Sequence, residues 1–254
     1  MSIITEMRQV CQQRKLNARG KMVWTGYWFN VIFSRYISIY LTWVFVKLGF
    51  NANAVTGLMI LVGLFSIVLL IPHVLWLNIL GFIFVVLFEV LDCCDGEVAR
   101  WRKESSIKGF FLDLVSHVFF NHPLRAFYAL HLFVLKQDPI FLVFAFVIYA
   151  ASISSHAVRK SYFIVTIKNK DQNTKPINNI IVKIISFFIS KVNDSIGIAS
   201  VNFIMLLLTY GGHEKFTMLW LWTLLTWGIF EMIFAVYRYY YFDLADMKYD
   251  KPVE

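Results

Sequence analysis

The chain has 254 residues, 59% of them hydrophobic and 16% charged, with a mean hydropathy of +0.63 and a formal net charge of +8. This composition excludes an ordinary soluble domain; since each bilayer crossing needs roughly 20 apolar residues, the length allows about six spans and leaves no room for a separate soluble domain. Three cysteines, Cys11, Cys93 and Cys94, are too few for a disulfide framework or a cysteine-based soft-metal site, and they read as reduced packing residues.

Met1 to Lys21 lacks the apolar core of a signal peptide. Within it Ile3, Ile4, Met7, Val10 and Cys11 recur at helical spacing beside Arg8, Arg14 and Lys15, the pattern of an amphipathic helix in the headgroup layer, with a plain solvated tail as the alternative. The positive charge therefore points to membrane lipids as partners and not to nucleic acid. Trp28 to Phe50 is apolar but carries Ser34, Arg35, Ser38 and Lys47, so it reads as a second helix along the interface.

Six spans are expected: Asn53 to Ile71, Val74 to Arg100, Gly109 to Leu135, Pro139 to Ile167, Asp194 to Tyr210 and Phe216 to Tyr241. Asn51 or Asn53 can cap the first, Pro72 separates it from the second, and Pro139 falls in the first turn of the fourth. Lys168 to Pro176 is a polar loop, and Ile177 to Val192, with Lys183 and Lys191, reads as another interfacial helix. The expected fold class is thus all-α integral membrane: six transmembrane helices over 53–241 with an amino-terminal interfacial amphipathic helix, in a single membrane-embedded domain, 1–254. Lys and Arg cluster in the amino-terminal segment, in the Arg100 to Lys108 loop, from Arg159 to Lys191 and in the carboxy-terminal tail, whereas Lys136 and Lys215 fall on the other side. The positive-inside rule then puts both termini in the cytoplasm, which in a bacterium means the inner membrane.

Residues 92–117 read DCCDGEVARWRKESSIKGFFLDLVSH, and ionisable side chains in a membrane span mark a functional site by default. Asp92, Asp95, Gly96, Ala99 and Arg100 fall on one helical stripe, and Gly109, Asp113 and His117, four apart, form a second. With a turn at 101–108, Asp92 lies about 12 Å above Arg100 and His117 about 13 Å above Lys108, so the stripes meet at one depth. Converging carboxylates repel unless protonated or bridged by a cation, and oxygen ligands favour Mg²⁺ or Mn²⁺. Gly96, Ala99 and Gly109 leave backbone open to a phosphorylated ligand, and Arg100 supplies a forked donor suited to phosphate. Helix packing by the small residues, with the acids paired to Arg100, Arg102 or Lys103, is the plainer alternative.

This pattern resembles the signature of the CDP-alcohol phosphotransferase (CDP-alcohol phosphatidyltransferase) family, D-x2-D-G-x2-A-R-x8-G-x3-D-x3-D, matched at Asp92, Asp95, Gly96, Ala99, Arg100, Gly109 and Asp113. Upstream, SRYISIYLTWVFVKLGFNANAVTGL is similar to the family's interfacial helix and its P-N-x-x-T opening of the first span, with Ala52 in the proline position and Asn53 and Thr56 matching. The resemblance implies that Asp92, Asp95 and Asp113 hold the divalent metals that bind the CDP diphosphate, and that Thr56, Gly96, Ala99, Arg100 and Gly109 line the nucleotide pocket. It also implies a homodimer and attack of a hydroxyl acceptor on a CDP-alcohol donor with release of CMP, one of the two substrates being a lipid. His117 stands where the family usually has its fourth aspartate. Imidazole can serve there as general base or metal ligand, and Asn121, one turn on, can orient it.

The chemistry expected is phosphatidyl transfer from CDP-diacylglycerol, with the site open to the cytoplasmic leaflet. The alternatives are transfer of a phosphoethanolamine-type or phosphocholine-type group to a lipid or glycan, a CDP-binding scaffold without turnover, and a small cation transporter. His156, Arg159 and Lys160, in the cytoplasmic half of the fourth span, are candidates for binding the acceptor, or else they snorkel to the interface. Glu89, one turn before Asp92, is a candidate support for the metal ligands.

Overall fold

A computed structural model describes residues 3–11, 33–168, 180–192 and 195–240. The described elements are helices: α1 (Ile3–Cys11), α2 (Arg35–Lys47), α3 (Ala52–Leu70), α4 (Leu75–Arg102), α5 (Ile107–Lys136), α6 (Ile140–Lys168), α7 (Ile180–Val192), α8 (Ser195–Tyr210) and α9 (Glu214–Arg238). Each expected span falls on one of them with its ends displaced by less than a turn; Asp194 and Tyr241, the 28–32 part of the expected second interfacial helix, Arg14, Lys15 and the 169–179 stretch lie outside the described residues.

Among the described residues, four helices are long and apolar enough to cross a membrane: α3, α4, α6 over Ile140–Ser161, and α9 over Lys215–Arg238. Two of the six expected spans do not meet that measure. α8 has only 16 residues, and α5, although 30 residues long, carries Asp113, His117, Asn121, His122, Arg125 and His131 along its length. Four apolar helices, among described elements that are all helical, are those of an integral membrane protein; the ionisable side chains of α5 call for polar or protein neighbours on that side of the helix.

The chain divides into two compact units, Met1–Phe127 and Tyr128–Glu254. In the first, α3 and α4 form a helical hairpin whose corner is tied by one side chain. Asn51 caps α3, its Oδ1 accepting from the Ala54 amide at 2.8 Å. At the other end, the fully buried Asn78 directs its Nδ2, with two hydrogens to share, at the helix-end carbonyls of Leu69 (3.0 Å) and Leu70 (3.1 Å) and at that of Pro72 (2.9 Å), which also accepts from the Val74 amide. Gly81 lets the helices touch, since a Cβ there would sit 2.9 Å from Leu70 Cγ. Ser106 caps α5, its Oγ accepting from the Gly109 amide at 3.0 Å.

α1 packs on protein. Met7 and Cys11 are buried with Ile39 of α2, flanked by Ile4, Trp43, Val46 and Trp101, while Ile3 and Val10 stay exposed. Trp43 and Trp101 provide apolar surface that competes with the lipid for the stripe on α1. Burial pushes the Cys11 thiol up to about 11, with the Glu97 charge adding to the effect, so Cys11 stays protonated at neutral pH and acts as a packing group. In the second unit, α6 meets α9 where Gly228 lies against Ala151, α8 is tied to α9 by Trp220 Nε1 donating to Asn202 Oδ1 at 2.6 Å, and α7 buries Val182 and Ile189 against Phe234.

Asn78→Leu fills similar space but removes the buried amide that donates to the Leu69 and Leu70 carbonyls, while Pro72 keeps the Val74 amide. It is expected to destabilise the protein by about 2 kcal/mol, read as a lowered melting temperature in detergent.

Candidate functional site

The second half of α4 and the first half of α5 carry the two acidic stripes, and the connection between them is four residues, 103–106, begun by Lys103 in the left-handed region (φ 56°). So short a link keeps the end of α4 close to the start of α5, and long side chains meet between them, His117 with Asp92 and Phe88 with Phe120. The nine residues expected at the site from unit one, Thr56, Asp92, Asp95, Gly96, Ala99, Arg100, Gly109, Asp113 and His117, all line one cavity of about 460 Å³. Ala52, Asn53, Glu104, Ser105, Ser106 and Phe110 complete its wall.

The two stripes meet at His117. Its Nε2 lies 3.2 Å from Asp92 Oδ1 and 3.4 Å from Asp113 Oδ1, while Asn121 Nδ2 lies 3.4 Å from Nδ1. The ring also meets the edge of Phe88, which stacks on Phe120 at 3.6 Å between centroids and so backs the imidazole with apolar surface. One donor atom from each of Asp92, Asp113 and His117 lies within 4.8 Å of the others. Opposite ligands of an octahedral Mg²⁺ are about 4.2 Å apart, so small side-chain rotations would let all three reach one ion, and two carboxylates with an imidazole are a donor set that fits a divalent cation.

Asp95 lines the same cavity but lies outside that trio. Its Oδ2 accepts from Thr56 Oγ1 at 2.9 Å and its Oδ1 from the Gly96 amide. Thr56, expected only as a pocket residue, thus works through an acid. Arg100 is held from outside the motif: its Nε donates to the Cys11 carbonyl at 2.7 Å, at the end of α1 where helix carbonyls point outward. The guanidinium then covers Gly96, where a Cβ would lie 3.1 Å from Nη1, and a Cβ on Gly109 would lie 3.1 Å from Asn53 Oδ1. These two glycines make room for neighbouring polar groups rather than for unusual backbone angles.

His156, Arg159 and Lys160 lie on α6, in the second unit. Arg159 bonds to Glu231 of α9 and reaches Ser155 Oγ at 3.3 Å, and Ser155 also contacts Glu231 at 3.2 Å. Glu231 is 1% exposed, so the Arg159 charge matches a buried carboxylate that sequence reading passes over. Glu97 is also passed over. It accepts hydrogen bonds from Ser38 and Thr42, whose spacing of four along α2 was the available signal.

A family model for CDP-alcohol phosphatidyltransferase matches residues 50–227, a stretch that includes all the cavity residues named above. Among curated proteins nothing matches the chain.

Gly96→Ala would place a methyl 3.1 Å from Arg100 Nη1, so the guanidinium must give by a few tenths of an ångström, and if Arg100 holds the nucleotide this should weaken CDP binding by a few-fold. Titration of CDP in the presence of Mn²⁺ measures it, and unchanged affinity would show that Arg100 does not contact the nucleotide.

Proposed function

Because the chain belongs to the CDP-alcohol phosphatidyltransferase family, whose members are transferases of substituted phosphate groups, we propose that it transfers a phosphatidyl group from CDP-diacylglycerol to a hydroxyl acceptor, releasing CMP. The family implies a CDP-alcohol donor and a hydroxyl acceptor. The observation that carries the finer reading is the cavity itself, where Asp92, Asp113 and His117 converge beside Arg100. A lipid donor is supported by Phe110, which lines the cavity yet is 57% exposed, and by its exposed neighbours Ile107 and Phe111. They give the rim an apolar side on which acyl chains can lie.

In this reading Asp92 and Asp113, joined by Asp95 once it turns from Thr56, would hold the divalent cations, Mg²⁺ or Mn²⁺, whose charge would offset that of the diphosphate and of the departing CMP. Arg100, with Nε committed to the Cys11 carbonyl, keeps its terminal nitrogens for phosphate oxygens. His117 takes the proton of the acceptor hydroxyl as that oxygen attacks phosphorus. Asn121 selects the tautomer: its Oδ1 has no hydrogen-bond partner as oriented, and turning the amide over lets Oδ1 accept the Nδ1 proton. Nε2, which lies between the Asp92 and Asp113 oxygens and donates its proton to them here, would present its lone pair once a cation takes up those oxygens. The charge pattern of the loops supports a cytoplasmic site with both termini on that side.

Purified protein with Mn²⁺, offered CDP-diacylglycerol, CDP-choline and CDP-ethanolamine with a panel of hydroxyl acceptors, should release CMP from the first donor only. Asp113→Asn should abolish release, and His117→Ala should keep CDP affinity while lowering kcat about 10²- to 10⁴-fold, the range for loss of a general base. Wild-type rates in His117→Ala would remove the base assignment, and CDP binding with no CMP from any pair would leave a nucleotide-binding scaffold.

A further inference from the structure

Glu97 is 1% exposed, two residues after Asp95, and no step above uses it. At 3.6 residues per turn it lies roughly 140° round α4 from Asp92 and roughly 160° from Asp95, on the face turned away from the acids. Each of its oxygens takes one hydroxyl proton. Ser38 Oγ donates to Oε1 at 2.8 Å and Thr42 Oγ1 to Oε2 at 2.7 Å, and both donors are fully buried. Cys94 Sγ adds a contact to the Ser38 carbonyl at 3.4 Å, so the α2 face at Ser38 is tied to α4 twice.

An apolar contact between two helices tolerates small rotations and slides, whereas a carboxylate held by two hydroxyls four residues apart does not. Burying a carboxylate is unfavourable against an apolar residue of the same size, and matched donors only offset that cost, so such a group adds registry more than stability. The rotation of α4 about its axis decides where Asp92 and Asp95 point.

We propose that Glu97, Ser38 and Thr42 form a positioning trio that locks α4 to α2 and so keeps Asp92, Asp95 and Arg100 aimed into the cavity. The trio touches no substrate. Its effect passes through the orientation of the cavity-facing stripe, and the inference rests on the reading of the cavity as a CDP site.

Titration of CDP with Mn²⁺ present, on protein shown to be folded by elution and melting temperature, tests the trio apart from that reading. Thr42→Val keeps the shape and removes one donor; Thr42→Ser keeps the donor and removes a methyl; Glu97→Gln keeps partners for both hydroxyls. Thr42→Ser and Glu97→Gln should bind CDP within about threefold of wild type, whereas folded Thr42→Val should bind about tenfold more weakly and Ser38→Ala with Thr42→Val more weakly still. A purely structural trio lowers the melting temperature while folded Thr42→Val binds CDP as wild type does, and that result overturns the proposal. Normal CDP binding with lost CMP release in Glu97→Gln also overturns it, because the charge would then belong to the chemistry. Failure of the wild-type protein to bind CDP removes the cavity reading, and this inference with it.

Discussion

Asp92 and Asp113 come from different helices to the same imidazole, 3.2 and 3.4 Å away. An oxygen of each lies within 4.8 Å of the other, where two like charges repel by about 3 kcal/mol or more at an effective dielectric constant near 20. No packing preference produces such a convergence, so the surrounding structure has to hold it in place. The constraint explains why α3, α4 and α5 approach as they do. A link of four residues keeps the end of α4 close to the start of α5, Ser106 caps α5 at its first turn, and Asn78 closes the corner between α3 and α4.

α4 is the helix on which most of this depends. Its cavity-facing side carries Asp92, Asp95 and Arg100, and polar groups from three other helices restrain it: the Thr56 hydroxyl of α3 on Asp95, the Ser38 and Thr42 hydroxyls of α2 on Glu97, and the terminal carbonyl of α1 on Arg100. Directional bonds suit this task better than apolar contact, since displacing a buried carboxylate from its donors is costly while sliding one leucine past another is not. The amino-terminal helix belongs to the same scheme. Its apolar stripe packs on α2 and on Trp101, and that docking brings the Cys11 carbonyl to the arginine.

Much of this was legible in the sequence. The helices announce themselves through apolar runs broken at Pro72 and Pro139, and the site through the spacing of Asp92, Asp95, Asp113 and His117, because spacing along a helix is also direction around it. The supporting partners were not legible. Glu97 pairs with residues 55 and 59 positions away, and Glu231 with Arg159 72 positions away, and a pairing over such distances leaves no periodic trace in either segment. The number of spans was not legible in the same way: four helices meet a length and apolarity measure, while α5 is long enough to cross a bilayer but interrupts its apolar run with Asp113, His117, Asn121, His122, Arg125 and His131.

By itself, then, the sequence determined an all-helical membrane chain, the family to which it belongs, and the stripe of acids and small residues on α4 and α5. These follow from local periodicity and from composition, which are properties of single segments. Only the tertiary structure decided that His117 lies between Asp92 and Asp113, that Asp95 turns to Thr56, that Arg100 answers to α1, and that a buried glutamate on the far side of α4 is tied to α2. Those outcomes depend on how helices rotate and pack against one another, and that is set by hydrogen bonds between residues distant in the chain.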